Sequence, residues 1–226
     1  MRQSGSEPVF NAADWTIRGH NCYDYAFGDR RNHLQKSEPG GPSTFLFRTC
    51  GRGKNSMKNR ILKDNPKTVY HLKNPCVPCR KGYYKVMSFV APKNDLGEVY
   101  GDFHFYKQVG SVRYQLQVGD TVPGLAKFFR VKPAVIREAM KKYARPLSKA
   151  NGLIDDKASH NLTGKIIKFP VNLWAHKLGW GTRPLLVDAK GKTIIDPRKA
   201  SRKYNFDYRT LCGTYCVGKA KTGNAK

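Results

Sequence analysis

Apolar and polar positions organise the chain into two strand-like stretches and one compact helical unit. "GYYKVMSFV" (residues 82–90) and "DFHFYKQVG" (102–110) are rich in aromatic and β-branched residues and bounded by Gly or Pro, which predicts two strands of one sheet. From Arg113 the period changes. "RYQLQVGDTV" alternates like a strand and ends in Gly-Asp-Thr, while "PGLAKFF" and "PAVIREAMKKY" space their apolar residues at helical intervals. "GKIIKFP" predicts a closing strand stopped by its proline. Thr121 suits the cap of the first helix and Pro133 the first turn of the second, so residues 113–170 read as strand, helix, helix, strand. Elsewhere the signal is weaker. "TFLF" (44–47) predicts a short strand after the turn-rich "SEPGGPST", residues 51–81 read mostly as loop, and "NCYDYAF" reads as a helix start. The whole predicts an α+β fold, with an antiparallel sheet from residues near 83–90, 101–108 and 183–195 packed on the helix that carries Cys22.

Length and charge narrow the classes of function. At 226 residues the chain is long enough for a core without staples. No run of about 18 apolar residues is present, and "MRQSGSEPVF" lacks a signal-peptide pattern, so a soluble protein made in the cytoplasm is expected. Forty-two Lys and Arg against 16 Asp and Glu give a formal charge of +26, which calls for an anionic partner: nucleic acid, an anionic membrane face, an acidic glycan or an acidic protein surface. The charge is distributed. Eleven basic residues and one acid, Asp64, lie between Arg52 and Lys93, and ten basic residues with two acids between Lys190 and Lys226. No zinc-finger, basic-zipper or RNA-recognition pattern accompanies it, so base-specific reading is not expected.

The order of elements and the residues "YQLQVGDTVPGLAKFFRV" and "LTGKIIKFP" resemble the lysin motif (LysM), a glycan-binding module, over residues 113–170. The link "ARPLSKANGLIDDKASH" is longer than in most of that family. The resemblance implies a groove for N-acetylglucosamine-containing chains, with Gly119, Asp120, Thr121 and Val122 on one side and Leu153 and Ile154 on the other. On the residues alone, Gly119 and Asp120 make a turn and Thr121 caps a helix in any protein.

The rest of the chain bears on Cys22. "NCYDYAFGD", "DFHFYKQ", "WAHKLG", "DAKGKTIIDP" and "LCGTYCV" together resemble poorly characterised proteins of papain-like appearance, distantly similar to cell-wall amidases and peptidases. That implies a host domain made of residues 1–112 and 171–226 into which the 113–170 module is inserted. A thiol at a helix N-terminus is drawn toward the thiolate, and a histidine on a facing strand can hold the ion pair and return the proton. Cys22 and His104 fit those roles. His176 or Asp102 would orient the imidazole, Asn21 with the Cys22 N–H would stabilise an oxyanion, and His20 is a rival base. The bland alternative is a buried, inert thiol beside an aromatic strand.

The remaining cysteines leave several chemistries open. Cys76 and Cys79 form a CxxC and Cys212 and Cys216 a CxxxC, which could meet at a structural zinc; disulfides, within 212–216 or from Cys50, are equally open, and otherwise no cofactor is expected. Charge, missing signal and a glycan-type module together suit a component of a large assembly, a minor capsid protein in the virion of a large DNA virus, in contact with other protein chains and a polyanion. The rivals are an active cysteine amidase or peptidase targeted to wall glycan, and a nucleic-acid packaging protein.

Overall fold

A computed structural model describes residues 1–15, 19–31, 35–41, 47, 49–92, 101–141, 143 and 162–218. Its elements are β1 (Val9–Phe10), α1 (Cys22–Phe27), α2 (Met57–Asp64), β2 (Val69–His71), β3 (Tyr83–Ala91), β4 (Asp102–Gln115), α3 (Val122–Phe129), α4 (Pro133–Lys141), β5 (Ile166–His176) and β6 (Thr210–Gly218). The fold is mixed α+β around one six-stranded sheet. Its strands run in the order β1-β4-β3-β6-β2 with β5 also paired to β4, and every pairing is antiparallel except the short β1–β4 contact. No described helix is long and apolar enough to cross a membrane.

Strand alternation divides the core. On one face Phe103 and Phe105 of β4, Val86 and Val90 of β3, and Tyr215 and Val217 of β6 pack under α1 and α2. On the other, Met87, Phe89, Tyr106 and Trp174 meet Ile194 and Tyr208 of the loops that follow β5. A third cluster joins α3 and α4, through Leu125, Phe129, Ile136 and Met140, to Phe169, Val112 and Leu116, and continues through Val109 and Ala175 to Tyr25 of α1. The strand–helix–helix–strand order expected for 113–170 is present, but its two strands are the far ends of β4 and β5, which run unbroken from the sheet.

Three expectations fail for local reasons. Residues 183–195 form no strand: single bridges tie Leu185 to His176 and Val187 to Thr193, and the Asp188 carboxylate accepts backbone N–H bonds from Lys190, Lys192 and Ser201 to close the turn. The sheet position expected for them belongs to β6, whose alternation is masked by cysteines and by Gly213, where a Cβ would lie 2.6 Å from the Tyr215 hydroxyl. Residues 51–81 are not mostly loop. Ser56 caps α2, whose Met57 and Ile61 are fully buried, and β2 adds the sheet edge; α2 sets three apolar residues among Lys, Arg, Asn and Asp, and β2 is three residues long, so neither gives a clear period. Pro170 does not stop β5, because it faces Ser111 where the β4–β5 register shifts and an absent N–H costs no ladder bond. Of "TFLF", only Phe47, which is buried, lies within the described residues.

Candidate functional site

Asn21 fixes the start of α1. Its Oδ1 accepts the N–H groups of Tyr23 and Asp24 at 2.8 and 3.1 Å, and the Asp24 carboxylate returns a bond to the Asn21 N–H at 2.8 Å. The Asn21 amide nitrogen donates to the Ser37 carbonyl at 2.6 Å. Its side-chain oxygen is taken up by the cap and one amide N–H by the neighbouring loop, so the oxyanion role expected of Asn21 would compete with the Ser37 bond.

Cys22 follows directly and is buried. Its thiol donates to the Phe103 carbonyl at 3.7 Å, and it packs among the core residues that include Phe103 and Phe105, the neighbours of His104 in β4. Burial, reinforced by the Asp102 carboxylate, pushes the Cys22 thiol up to about 12, so the group is a neutral thiol near pH 7. The helix-terminus effect that would favour a thiolate is outweighed by desolvation.

His104 turns to the other face of the strand, as its position between Phe103 and Phe105 requires. Its ring lies against Tyr106, Tyr204 and Tyr208, and its Nε2 is 2.8 Å from Nδ1 of His176. The second nitrogen of His176 lies 2.9 Å from the Val187 carbonyl, which can only accept. Nε2 of His176 therefore carries the proton, its Nδ1 accepts from the Nε2–H of His104, and Nδ1 of His104 keeps a bare lone pair. Burial, with each other's proximity, holds His104 well below its ordinary range, and burial lowers His176 to about 4; both rings are neutral.

The structure thus brings His104 and His176 together, in the orienting contact expected of His176, and leaves no hydrogen bond between Cys22 and His104. Asp102 does not orient the imidazole. Its carboxylate accepts from Lys36 at 3.0 Å and from the Tyr208 hydroxyl at 2.7 Å. His20 is buried edge-on to Trp15, 5.2 Å between ring centres. A groove of about 810 Å³ runs beside α1, lined by Asp24, Phe27, Arg30, Lys36 and Asp64 among others, and Cys22 is not in its wall. The aromatic box of Tyr204 and Tyr208 carried no signal in the sequence beyond the aromatic spacing of "KYNFDY".

The metal site expected of Cys76, Cys79, Cys212 and Cys216 is not assembled. Cys79 is bonded to Cys216 and Cys212 to Cys50, and a sulfur in a disulfide has no thiolate to offer zinc. Cys76 is free and exposed. Among the described residues no group of three or more His, Cys, Asp or Glu is arranged to hold a metal ion.

Of the glycan-side residues, Gly119 takes a φ of +86°, Asp120 accepts from the Gln117 N–H and the Tyr114 hydroxyl, Thr121 caps α3 through the Gly124 N–H, and Val122 is buried. Each does structural work in the turn. Leu153 and Ile154 lie outside the described residues. No family model, curated protein or solved structure matches the chain.

Proposed function

We propose that this protein is a structural and binding component of a large assembly, a virion-associated minor capsid protein of a large DNA virus, built on a papain-like scaffold whose cysteine does not turn over and carrying a LysM-type module over residues 113–170. One observation carries the non-catalytic part: the Cys22 thiol is buried, neutral and bonded to a backbone carbonyl, with no hydrogen bond to a base. The strand–helix–helix–strand order supports the LysM reading, and N-acetylglucosamine oligomers are its ligand class. The charge of +26 supports a polyanionic neighbour. Two disulfides fit a protein that ends in an oxidising or sealed compartment, such as a particle interior.

A second reading, an active cysteine amidase or peptidase, draws on the His104–His176 pair, which leaves Nδ1 of His104 as the lone pair a thiol would need. Iodoacetamide separates the two. In the structural reading, at pH 7.5, exposed Cys76 is alkylated at least about 100-fold faster than Cys22, which reacts only after unfolding, as read by peptide mass spectrometry. Labelling of native Cys22 at a rate matching Cys76, with wall-degrading activity lost in Cys22→Ala, would establish the hydrolase instead.

A further inference from the structure

The segment between the two half-cystines Cys50 and Cys79 carries seven Lys and Arg residues and one acid, Asp64. Both of its ends are bonded to the same strand, at Cys212 and Cys216 of β6. The first bond joins the core beneath α1 and α2, whereas Cys216, between Tyr215 and Val217, points to the opposite face. The segment therefore wraps the β6–β2 end of the sheet and is fastened on both sides of it. Between the fasteners α2 and β2 give it ordered backbone.

Six of its seven basic residues stand on ordered backbone with their charges unspent; the seventh, Arg60, donates to the Asn55 and Pro39 carbonyls. Burial, and then the positive charges of Lys58 and Lys73, push His71 below its ordinary range. The Asp64 carboxylate accepts from the Tyr23 hydroxyl at 2.7 Å and the Gly40 N–H at 2.8 Å. Among the described residues none of Arg52, Lys54, Lys58, Lys63, Lys67 and Lys73 pairs with a carboxylate, and all six are exposed. Just past the second fastener, Arg80 lies over the rings of Tyr70 and Tyr83, 5.0 and 4.2 Å from their centres, so its position is fixed too.

We propose that this disulfide-bracketed segment is a preformed docking surface for duplex nucleic acid, recognising the spacing of backbone phosphates and no base sequence. Rigidity decides between polyanions. A fluid bilayer moves its own lipids to meet any cluster of lysines and gains little from charges fixed in place, whereas a duplex presents phosphates at fixed intervals and rewards a surface that does not have to be ordered on binding. The segment also lacks the exposed aromatic anchors of membrane-surface elements; Val77 is its one exposed large apolar residue.

The test uses the full-length oxidised protein and a 30-base-pair duplex of mixed sequence, with fluorescence anisotropy at several salt concentrations. Lys58→Glu/Lys73→Glu should weaken binding about tenfold or more at 50 mM salt and reduce the slope of log affinity against log salt by about two. Lys127→Glu/Lys132→Glu makes the same charge change on and beside α3 and should cost less than about threefold. Reducing both disulfides should lower affinity several-fold. Equal losses in the two double variants would reduce the effect to net charge and overturn the proposal, as would full affinity after reduction. Tighter binding to vesicles containing phosphatidylserine, or to polyglutamate, than to the duplex would overturn it in favour of those partners.

Discussion

Lys107 shows how far a single residue can depart from its sequence signature. In "DFHFYKQVG" it occupies a polar position of an alternating strand, yet it is buried under α1, donating to the Tyr25 carbonyl at 2.9 Å with the Tyr25 ring 3.6 Å away. No carboxylate among the described residues meets it. Burial, with Arg30 nearby, lowers Lys107 to about 7, whereas in the unfolded chain it titrates near ~10.4. Between those values the unfolded state binds more protons, so Lys107 makes stability rise with pH from 7 to about 10, at up to about 1.4 kcal/mol per pH unit, with no further change below 7 once both states are protonated. Lys107→Met should remove that rise while retaining the packing. Urea midpoints of the two proteins at pH 7 and pH 9 measure it, and parallel pH dependences would show that the ring contact keeps the ammonium charged. Cys22 follows the same logic: its place at a helix start was legible, and its environment, which decides its reactivity, was not.

At the scale of elements, legibility tracked apolar content and independence from neighbours. α3 and α4 were visible because each spans two turns with its own apolar stripe and start signal, and β3 because nine residues of it are nearly all apolar and buried. α2, β2 and β6 were missed. Their apolar residues are few and interrupted by glycine and cysteine, and they are held by the sheet edge and by the Cys50–Cys212 and Cys79–Cys216 bonds, across 162 and 137 residues of chain. Loops of that length restrict the unfolded chain strongly, so replacing either pair by serine should cost about 2–5 kcal/mol, read by urea unfolding under non-reducing conditions. The loss should be cooperative with the rest of the sheet, since β6 pairs along nearly all of β3.

At the scale of the whole molecule, a net charge of +26 on 226 residues opposes compaction. Raising sodium chloride from 10 to 200 mM should therefore raise the thermal midpoint by several degrees, as screening shortens from about 30 Å to below 10 Å; a flat or falling midpoint would mean that the described ion pairs outweigh the repulsion. Sequence alone determined the charge, the α+β class, the strand–helix–helix–strand order of 113–170 and the candidates Cys22, His104 and His176, because these follow from composition and from periods of two and 3.6 within short windows. Only the tertiary structure decided which cysteines are joined, that Asn21 is consumed as a cap, that His104 faces His176 while Cys22 bonds the backbone beside it, and that residues 183–195 yield their sheet position to β6. Each of those outcomes depends on which of two faces a side chain takes and on what else is buried there, and pairings across more than a hundred residues leave no trace in local periodicity.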